Sequence, residues 1–156
     1  MGGSDGAGGR RQPTAETSHG RLLQVTAGVI ARDDDILVCQ RPAGGRHPGK
    51  WEFPGGKREG AEALPACLRR ELSEELGIVA EVGALLWRGT HCYPGGQPFE
   101  LFFYLVPSYR GVPVNRAFAE IRWARIGTLG ALDFLDADRA FVNRLDRGEW
   151  NLEPRE

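Results

Sequence analysis

The sequence has few cysteines, and no two of them have the spacing of a metal or redox motif. Cys39, Cys67 and Cys92 are odd in number and far apart. A disulfide framework needs paired cysteines in an oxidising compartment, so we expect reduced thiols and a cytoplasmic protein. A small, disulfide-stabilised secreted domain is therefore not expected.

Concentrated positive charge and long apolar runs are also missing. The formal net charge is −1, and no basic block is present beyond short pairs such as Arg10-Arg11. Proteins that bind nucleic acid usually carry a basic face, so we expect no stable nucleic-acid binding. No apolar run is long enough for a membrane span and no signal peptide is recognisable, so no membrane partner is expected. An enzyme for anionic nucleotides need not be basic when a metal ion carries the positive charge.

The length and composition indicate one domain with a real core. The chain has 156 residues, of which 41% are hydrophobic, an ordinary share for a globular protein. Residues 1–20 are rich in Gly, Ser and Thr without apolar periodicity, and we expect a disordered tail there. Residues 21–146 form the predicted domain, and the polar residues 147–156 are expected to be loose. The sequence does not determine the oligomeric state.

Short β-type segments surround two helical ones. The predicted strands are 22–31, 36–40, 51–53, 79–92, 97–106 and 120–124. The first helix is expected to start at Leu64 or Pro65, because proline is tolerated only in the first turn, and to end before Gly77. The second helix is predicted over 136–145, with Asp136 as its N-cap. Residues 108–119 are interpreted as a loop.

Three glutamates at the end of the first helix carry the clearest chemical signal. Glu71, Glu74 and Glu75 have the i, i+3, i+4 spacing that places side chains on one helical face. Like charges at this spacing repel, and the negative end of the helix dipole adds to the cost. No lysine or arginine is expected to neutralise all three. A bound cation explains the arrangement, and hard oxygen ligands suit Mg²⁺ or Mn²⁺.

The residues around these glutamates follow a longer pattern. Gly56, five residues, Glu62, seven residues and then Arg70–Ile78 resembles the signature of the Nudix hydrolases, with every fixed position filled. Trp51–Lys57 is similar to the entry segment of the MutT-like branch, and a looser likeness runs from about Arg21 to Asp146. The resemblance implies a Nudix-type α/β/α sandwich with a mixed β-sheet between helices. It also implies Mg²⁺-dependent hydrolysis of a nucleoside triphosphate to the monophosphate and pyrophosphate.

The resemblance implies roles for the acidic residues and their neighbours. Glu71, Glu74 and Glu75 would be metal ligands, and one of them would also serve as the base. The Gly56 carbonyl would be a weaker ligand, and Lys57 would contact phosphate. In relatives a glutamate six residues before Trp123 is a further ligand or base, but Ala117 stands there. Glu120 is the nearest substitute.

Other residues are candidates for contacting the nucleotide. Arg41 lies where MutT-like relatives carry an arginine that contacts the nucleotide. A second arginine of those relatives also contacts the nucleotide, and Gln97 stands at its position here. Phe53 either stacks on the base or packs in the core. Asp138, or alternatively Asp136, would read the base edge. An ionised carboxylate only accepts hydrogen bonds, so cytosine, guanine and 8-oxoguanine, which carry amino groups, are expected to be preferred over thymine and uracil.

Two other functions stay open at this point. Tyr93 and Pro94 lie roughly where branches acting on ADP-ribose or dinucleoside polyphosphates carry marker residues, although a Pro-Gly-Gly turn also explains them. A non-catalytic nucleotide-binding Nudix module is the other alternative. Such a module is expected to lose acidic residues of the signature, and this sequence keeps them. Metal-dependent pyrophosphate release distinguishes the enzyme from the module.

Overall fold

The computed structural model describes residues 22–150 and residue 152. The predicted tail over 1–20 lies outside the described residues. The strands are β1 (Leu23–Arg32), β2 (Asp35–Gln40), β3 (Trp51–Glu52), β4 (Gly55–Lys57), β5 (Val79–Glu81), β6 (Leu85–His91), β7 (Phe99–Val106), β8 (Ser108–Arg110) and β9 (Glu120–Arg125). The helices are α1 (Leu64–Leu76) and α2 (Asp136–Asp146), and Leu129–Ala131 forms a 3₁₀ turn.

The main sheet is mixed and lies between the two helices. Its strand order is β3-β2-β1-β7-β6, with β4 also paired to β1 and β9 to β2. Strands β1 and β7 run parallel, whereas β6 and β7 are antiparallel. This arrangement confirms the predicted α/β sandwich.

Successive residues of the central strands point to opposite helices. In β1, Val29 belongs to the cluster that contains Phe141 of α2, whereas Ile30 belongs to the cluster that contains Leu72 of α1. Because side chains alternate along a strand, a strand covered on both faces is apolar throughout its centre. The two clusters therefore fix α1 and α2 on opposite faces of the sheet.

Helix α1 follows the pattern predicted for it. Leu68, Leu72 and Leu76 are fully buried, and the helix begins at Leu64 after Ala63, which makes no side-chain cap. Gly77 ends it with φ of 67°, the left-handed conformation that favours glycine. The apolar stripe thus packs on the sheet and leaves the glutamates of the last turns on the other faces.

The predicted strand over 79–92 is wrong as a single element. It divides into β5 and β6, and β5 leaves the main sheet to pair with β8 inside the predicted loop 108–119. The division occurs at Gly83, whose amide donates to the Leu105 carbonyl at 2.7 Å. A three-residue strand whose partner lies far along the chain has too short a pattern to be seen in sequence.

The C-terminal helix differs from the prediction at its start and beyond its end. Its N-cap is Leu135 rather than Asp136, which is the first helical residue. Trp150 lies with its ring centroid 5.1 Å from that of Phe141, and Leu152 is 7% exposed. The expectation of a loose segment from residue 147 does not hold for these two residues, because both cover the aromatic core. Within the described residues, no helix is long and apolar enough to span a membrane.

Candidate active site

Two glutamates of α1 meet the glycines of β4, which lies beside that helix. The Gly55 amide donates to Glu75 Oε1 at 3.0 Å. A Cβ atom on Gly56 would lie 2.4 Å from the carboxyl carbon of Glu71, so a side chain there would displace this carboxylate. We refer to Gly55, Gly56, Glu71 and Glu75 as the acidic site.

The Gly56 carbonyl is held in place from the side of β1. Thr26 Oγ1 donates to it at 3.1 Å, and Cys67 Sγ lies 3.6 Å from the same oxygen. Cys67 and Thr26 are both buried. Cys67 is therefore a packing residue, and the pair orients the carbonyl predicted to be the weaker metal ligand.

Arg70 organises the carboxylates on the outer side of α1. Its Nε and Nη2 atoms donate to the two oxygens of Glu62 at 3.1 and 2.8 Å. Its Nη1 atom donates to Glu71 at 2.9 Å and lies 3.4 Å from Glu74. The hydrogen bonds from Arg70 lower the pKa of Glu62 to about 2. The bidentate pair with Glu62 holds the Arg70 guanidinium where it partly offsets the charges of Glu71 and Glu74, and this guanidinium does not contact Glu75.

Glu75 is the most perturbed acid of the site. Burial, reinforced by the nearby charge of Glu71, raises its pKa to about 8. Burial also raises the pKa of Glu71. Two carboxyl groups held together in a desolvated place favour the protonated form unless a cation shares them. The donor set is all oxygen, which fits a hard divalent cation.

The structure does not bring all the predicted ligands to one point. Among the described residues, no three His, Cys, Asp or Glu side chains are arranged as a ready metal-binding group. The side chain of Glu74 is 58% exposed and faces Arg70. Glu120 is bound by Arg122 at 2.7 Å on an exposed part of β9, so the structure does not unite it with the acidic site. The metal-ligand role of each residue stays a prediction.

Glu52 is a site residue that the sequence analysis missed. Its carboxylate accepts a hydrogen bond from Arg41 Nη1 at 2.8 Å, and its side chain is 16% exposed. Burial raises its pKa, and its charge in turn raises the pKa of both Glu75 and Asp138. A carboxylate inside the otherwise apolar segment Trp51–Phe53 was the signal that could have revealed it.

Arg41 contacts Glu52, and Asp138 lies within the electrostatic range of both. We refer to these three residues as the recognition cluster. Arg41 also donates from Nε to the Arg46 carbonyl at 2.7 Å, so loop 41–50 holds the guanidinium. Asp138 is 4% exposed. The structure thus brings together the two residues predicted to contact the nucleotide, although neither role is tested.

Asp138 ionises less readily than an ordinary aspartate. Burial, together with the charge of Glu52, raises its pKa well above the ordinary value, while the Phe53 amide and Arg41 act in the opposite direction. A protonated carboxyl group donates as well as accepts a hydrogen bond. The simple acceptor role expected from the sequence therefore applies only at a pH where Asp138 is ionised. Asp136, the alternative reader, is exposed and pairs with Arg139 at 3.1 Å.

Phe53 and Lys57 occupy opposite environments. Phe53 is 4% exposed, and its ring packs against Phe103, Phe134 and Phe141 at centroid distances of 5.4 to 5.8 Å. Core packing accounts for this ring, and its contact with a base stays a prediction. Lys57 is exposed at the end of β4, and its carbonyl accepts from Arg70 Nη2 at 3.1 Å.

Comparisons with known proteins agree with this geometry. The family model of the NUDIX domain matches residues 22–145. The 8-oxo-dGTP diphosphatase of Haemophilus influenzae is 36% identical over 126 residues, which cover 80% of this chain and 92% of that protein. The CTP pyrophosphohydrolase of Escherichia coli is 41% identical over 92 residues, which cover 58% of this chain and 67% of that protein. The crystal structure of a MutT NUDIX hydrolase from Burkholderia pseudomallei has a TM-score of 0.72 at 26% identity and covers 80% of this chain and 98% of that one.

The sandwich fold and the signature helix define a Nudix domain. The chain belongs to the Nudix family, and its relatives place it in the MutT-like branch.

Proposed function

We propose that this protein hydrolyses a nucleoside triphosphate to the monophosphate and pyrophosphate, with Mg²⁺ as cofactor and Mn²⁺ as a substitute. The observation that carries the proposal is the acidic site, where Glu71 and Glu75 meet the backbone of Gly55 and Gly56. The names of the relatives, an 8-oxo-dGTP diphosphatase and a CTP pyrophosphohydrolase, support this class of substrate.

The residues of the acidic site fit a divalent metal. Their donors are carboxylates and a carbonyl, the hard oxygen ligands that a divalent cation prefers. Glu71, Glu75 and the Gly56 carbonyl would hold the ion, with Glu74 reaching it from the exposed edge. When bound, the metal neutralises the phosphate oxygens and lowers the pKa of bound water.

The side chains of this protein position the reactants. Arg70 holds Glu71 and Glu74 at fixed distances, so the carboxylates need little rearrangement during the reaction. One of the three glutamates Glu71, Glu74 and Glu75 would also take the proton from the attacking water. Lys57 would contact phosphate at the exposed end of β4. Positioning and charge dominate phosphoryl transfer, which needs little covalent chemistry from the protein.

The recognition cluster supports a choice between bases. Asp138 and Arg41 offer hydrogen-bonding groups inside a largely buried environment, where an unpaired polar group is costly. We propose that 8-oxo-dGTP and cytidine nucleotides are better substrates than thymidine or uridine nucleotides. The ionised form of Asp138 accepts from an amino group, whereas the carbonyl oxygens of thymine would face its charge.

The proposal is tested with purified protein and a panel of nucleoside triphosphates. We expect no turnover in the presence of a chelator and recovery with Mg²⁺ or Mn²⁺. The products should be the monophosphate and pyrophosphate, which chromatography distinguishes from the diphosphate and orthophosphate. Metal-dependent binding without product, or a diphosphate product, would contradict the proposal. ADP-ribose and a dinucleoside polyphosphate belong in the panel as the competing substrates.

A further inference from the structure

Tyr93 joins three segments that surround the recognition cluster. It lies in the turn between β6 and β7, and its ring centroid is 4.4 Å from that of His47 in loop 41–50. On its other sides, His91 lies at 4.5 Å and Phe99 stacks on it at 6.1 Å. The phenol is therefore packed between the loop that holds Arg41 and the start of β7.

The hydroxyl group of Tyr93 reaches the beginning of α2. The Ala137 amide donates to Tyr93 Oη at 3.1 Å. The first amides of a helix have no partner within the helix, and an N-cap side chain usually accepts from one of them. Leu135 occupies the N-cap and has no side-chain acceptor. Tyr93 thus supplies from a distant turn the acceptor that this helix lacks locally.

The residue next to Ala137 is Asp138, the buried acid of the recognition cluster. Burial raises the pKa of Tyr93, and the charges of Asp138 and Asp136 raise it further, which places the phenol in the electrostatic range of both. A hydrogen bond at Ala137 restricts the first turn of α2 and so restricts the direction of the Asp138 side chain. An error of about 1 Å in such a contact is enough to weaken recognition.

We propose that Tyr93 is a positioning residue for base selection, whose hydroxyl fixes the first turn of α2 so that Asp138 meets the nucleobase edge. This inference rests on the proposed function, because it assigns Tyr93 a part in choosing the base. Tyr93 takes no part in the phosphate chemistry, which the acidic site performs. Its influence on base choice passes through Asp138.

The test compares two substitutions that each remove one phenolic hydroxyl. Tyr93→Phe removes the acceptor of the Ala137 amide and keeps the ring stacked on Phe99 and packed against His47. Tyr104→Phe is the matched control, because Tyr104 is 8% exposed in β7 and packs in the cluster on the α1 side. For each protein, the ratio of kcat/KM between the best substrate and dTTP measures discrimination.

We expect Tyr93→Phe to lower this discrimination about threefold to tenfold, the scale of one hydrogen bond, through KM rather than kcat. Tyr104→Phe should leave it unchanged. In an Asp138→Ala background, Tyr93→Phe should cause no further loss, since it acts through Asp138. Amide hydrogen exchange at Ala137 should be faster in Tyr93→Phe, which reports the loosened turn without any substrate.

The results also separate this inference from the function on which it rests. If the wild-type protein hydrolyses no nucleotide, or hydrolyses all bases equally well, the inference is overturned along with the base choice proposed above. If the wild type discriminates and Tyr93→Phe discriminates equally well, only the role of Tyr93 is overturned. An equal loss with and without Asp138 would likewise overturn it.

Discussion

The acidic site and the recognition cluster are built in different ways. All four residues of the acidic site lie between Gly55 and Glu75, in one strand and the helix that follows it. The recognition cluster takes Arg41 from the end of β2, Glu52 from β3 and Asp138 from α2. Both regions hold an acid whose pKa is raised by burial and by the charge of a neighbouring glutamate, Glu71 at Glu75 and Glu52 at Asp138. The difference separates a local unit, to which we assign the chemistry, from a distributed unit, to which we assign selectivity.

The largest effect is expected from Glu75→Gln, which removes a charge from the acidic site and keeps the shape of the side chain. We predict a loss of about 10²-fold or more in kcat, the scale of losing a catalytic group. Steady-state kinetics with Mg²⁺ measures it. Glu120→Gln is the matched control, because Glu120 pairs with Arg122 at 2.7 Å and is not one of the four residues of the acidic site. The kcat of Glu120→Gln should stay within about twofold of the wild-type value. Equal losses in both variants would place Glu120 among the ligands.

The next effect is expected from Asp138→Ala in the recognition cluster. We predict that discrimination between the best nucleotide and dTTP falls about tenfold to a hundredfold, because a buried hydrogen bond to an ionised group contributes about 1.5–3 kcal/mol. Asp136→Ala, which removes an exposed carboxylate of the same helical turn, should keep the ranking. In the wild type, discrimination against dTTP should grow as pH rises and Asp138 ionises. A ranking unchanged by Asp138→Ala would show that another group reads the base.

The smallest effect concerns the pH dependence of Mg²⁺ affinity, which distinguishes Glu75 of the acidic site from Asp138 of the recognition cluster. The pKa of Glu75 is about 8, so below that pH a metal must displace a proton. We predict that Mg²⁺ affinity rises about tenfold per pH unit up to pH 8 and then levels off, as measured by calorimetric titration. Asp138→Ala should keep this slope, whereas Glu75→Gln should abolish it. A slope that survives Glu75→Gln would assign the proton to another group.

The same pKa shift has a consequence for the metal-free protein. In the unfolded chain Glu75 ionises near its ordinary value of 4.5, whereas in the folded protein it stays protonated until about pH 8. The folded state therefore binds more protons at Glu75 between these values. The stability that Glu75 contributes is fully present below about pH 4.5 and is lost as pH rises to about 8. The melting temperature should fall over this window and fall less in Glu75→Gln. A flat profile in the wild type would contradict the raised pKa.

Sequence alone predicted helix α1, which carries the glutamates of the acidic site, because local periodicity determines it. The i, i+3, i+4 spacing of the glutamates, the leucine stripe and Gly77 all act within one helix, so the prediction of α1 needed no knowledge of the rest of the fold. What the sequence could not give is the side-chain arrangement. Arg70 contacts Glu71 and Glu74 but leaves Glu75 to the Gly55 amide.

The recognition cluster was predicted only in part, since tertiary packing creates it. Arg41 and Asp138 were identified through the family resemblance, but Glu52 was missed, and Phe53 is enclosed by core aromatics. The raised pKa of Asp138 depends on burial, which no local pattern shows. Strand β8 and the hydrogen bond from Ala137 to Tyr93 were missed for the same reason, because each joins residues far apart in the sequence.

The most direct test of this division of roles measures kcat/KM for 8-oxo-dGTP, dCTP and dTTP with Mg²⁺ in three proteins: wild type, Glu75→Gln and Asp138→Ala. We predict that Glu75→Gln lowers all three values by the same factor and preserves their ranking. Asp138→Ala should bring the three values together while leaving the value for dTTP within about twofold of wild type. A changed ranking in Glu75→Gln, or a uniform loss in Asp138→Ala, would contradict the separation of chemistry from base choice.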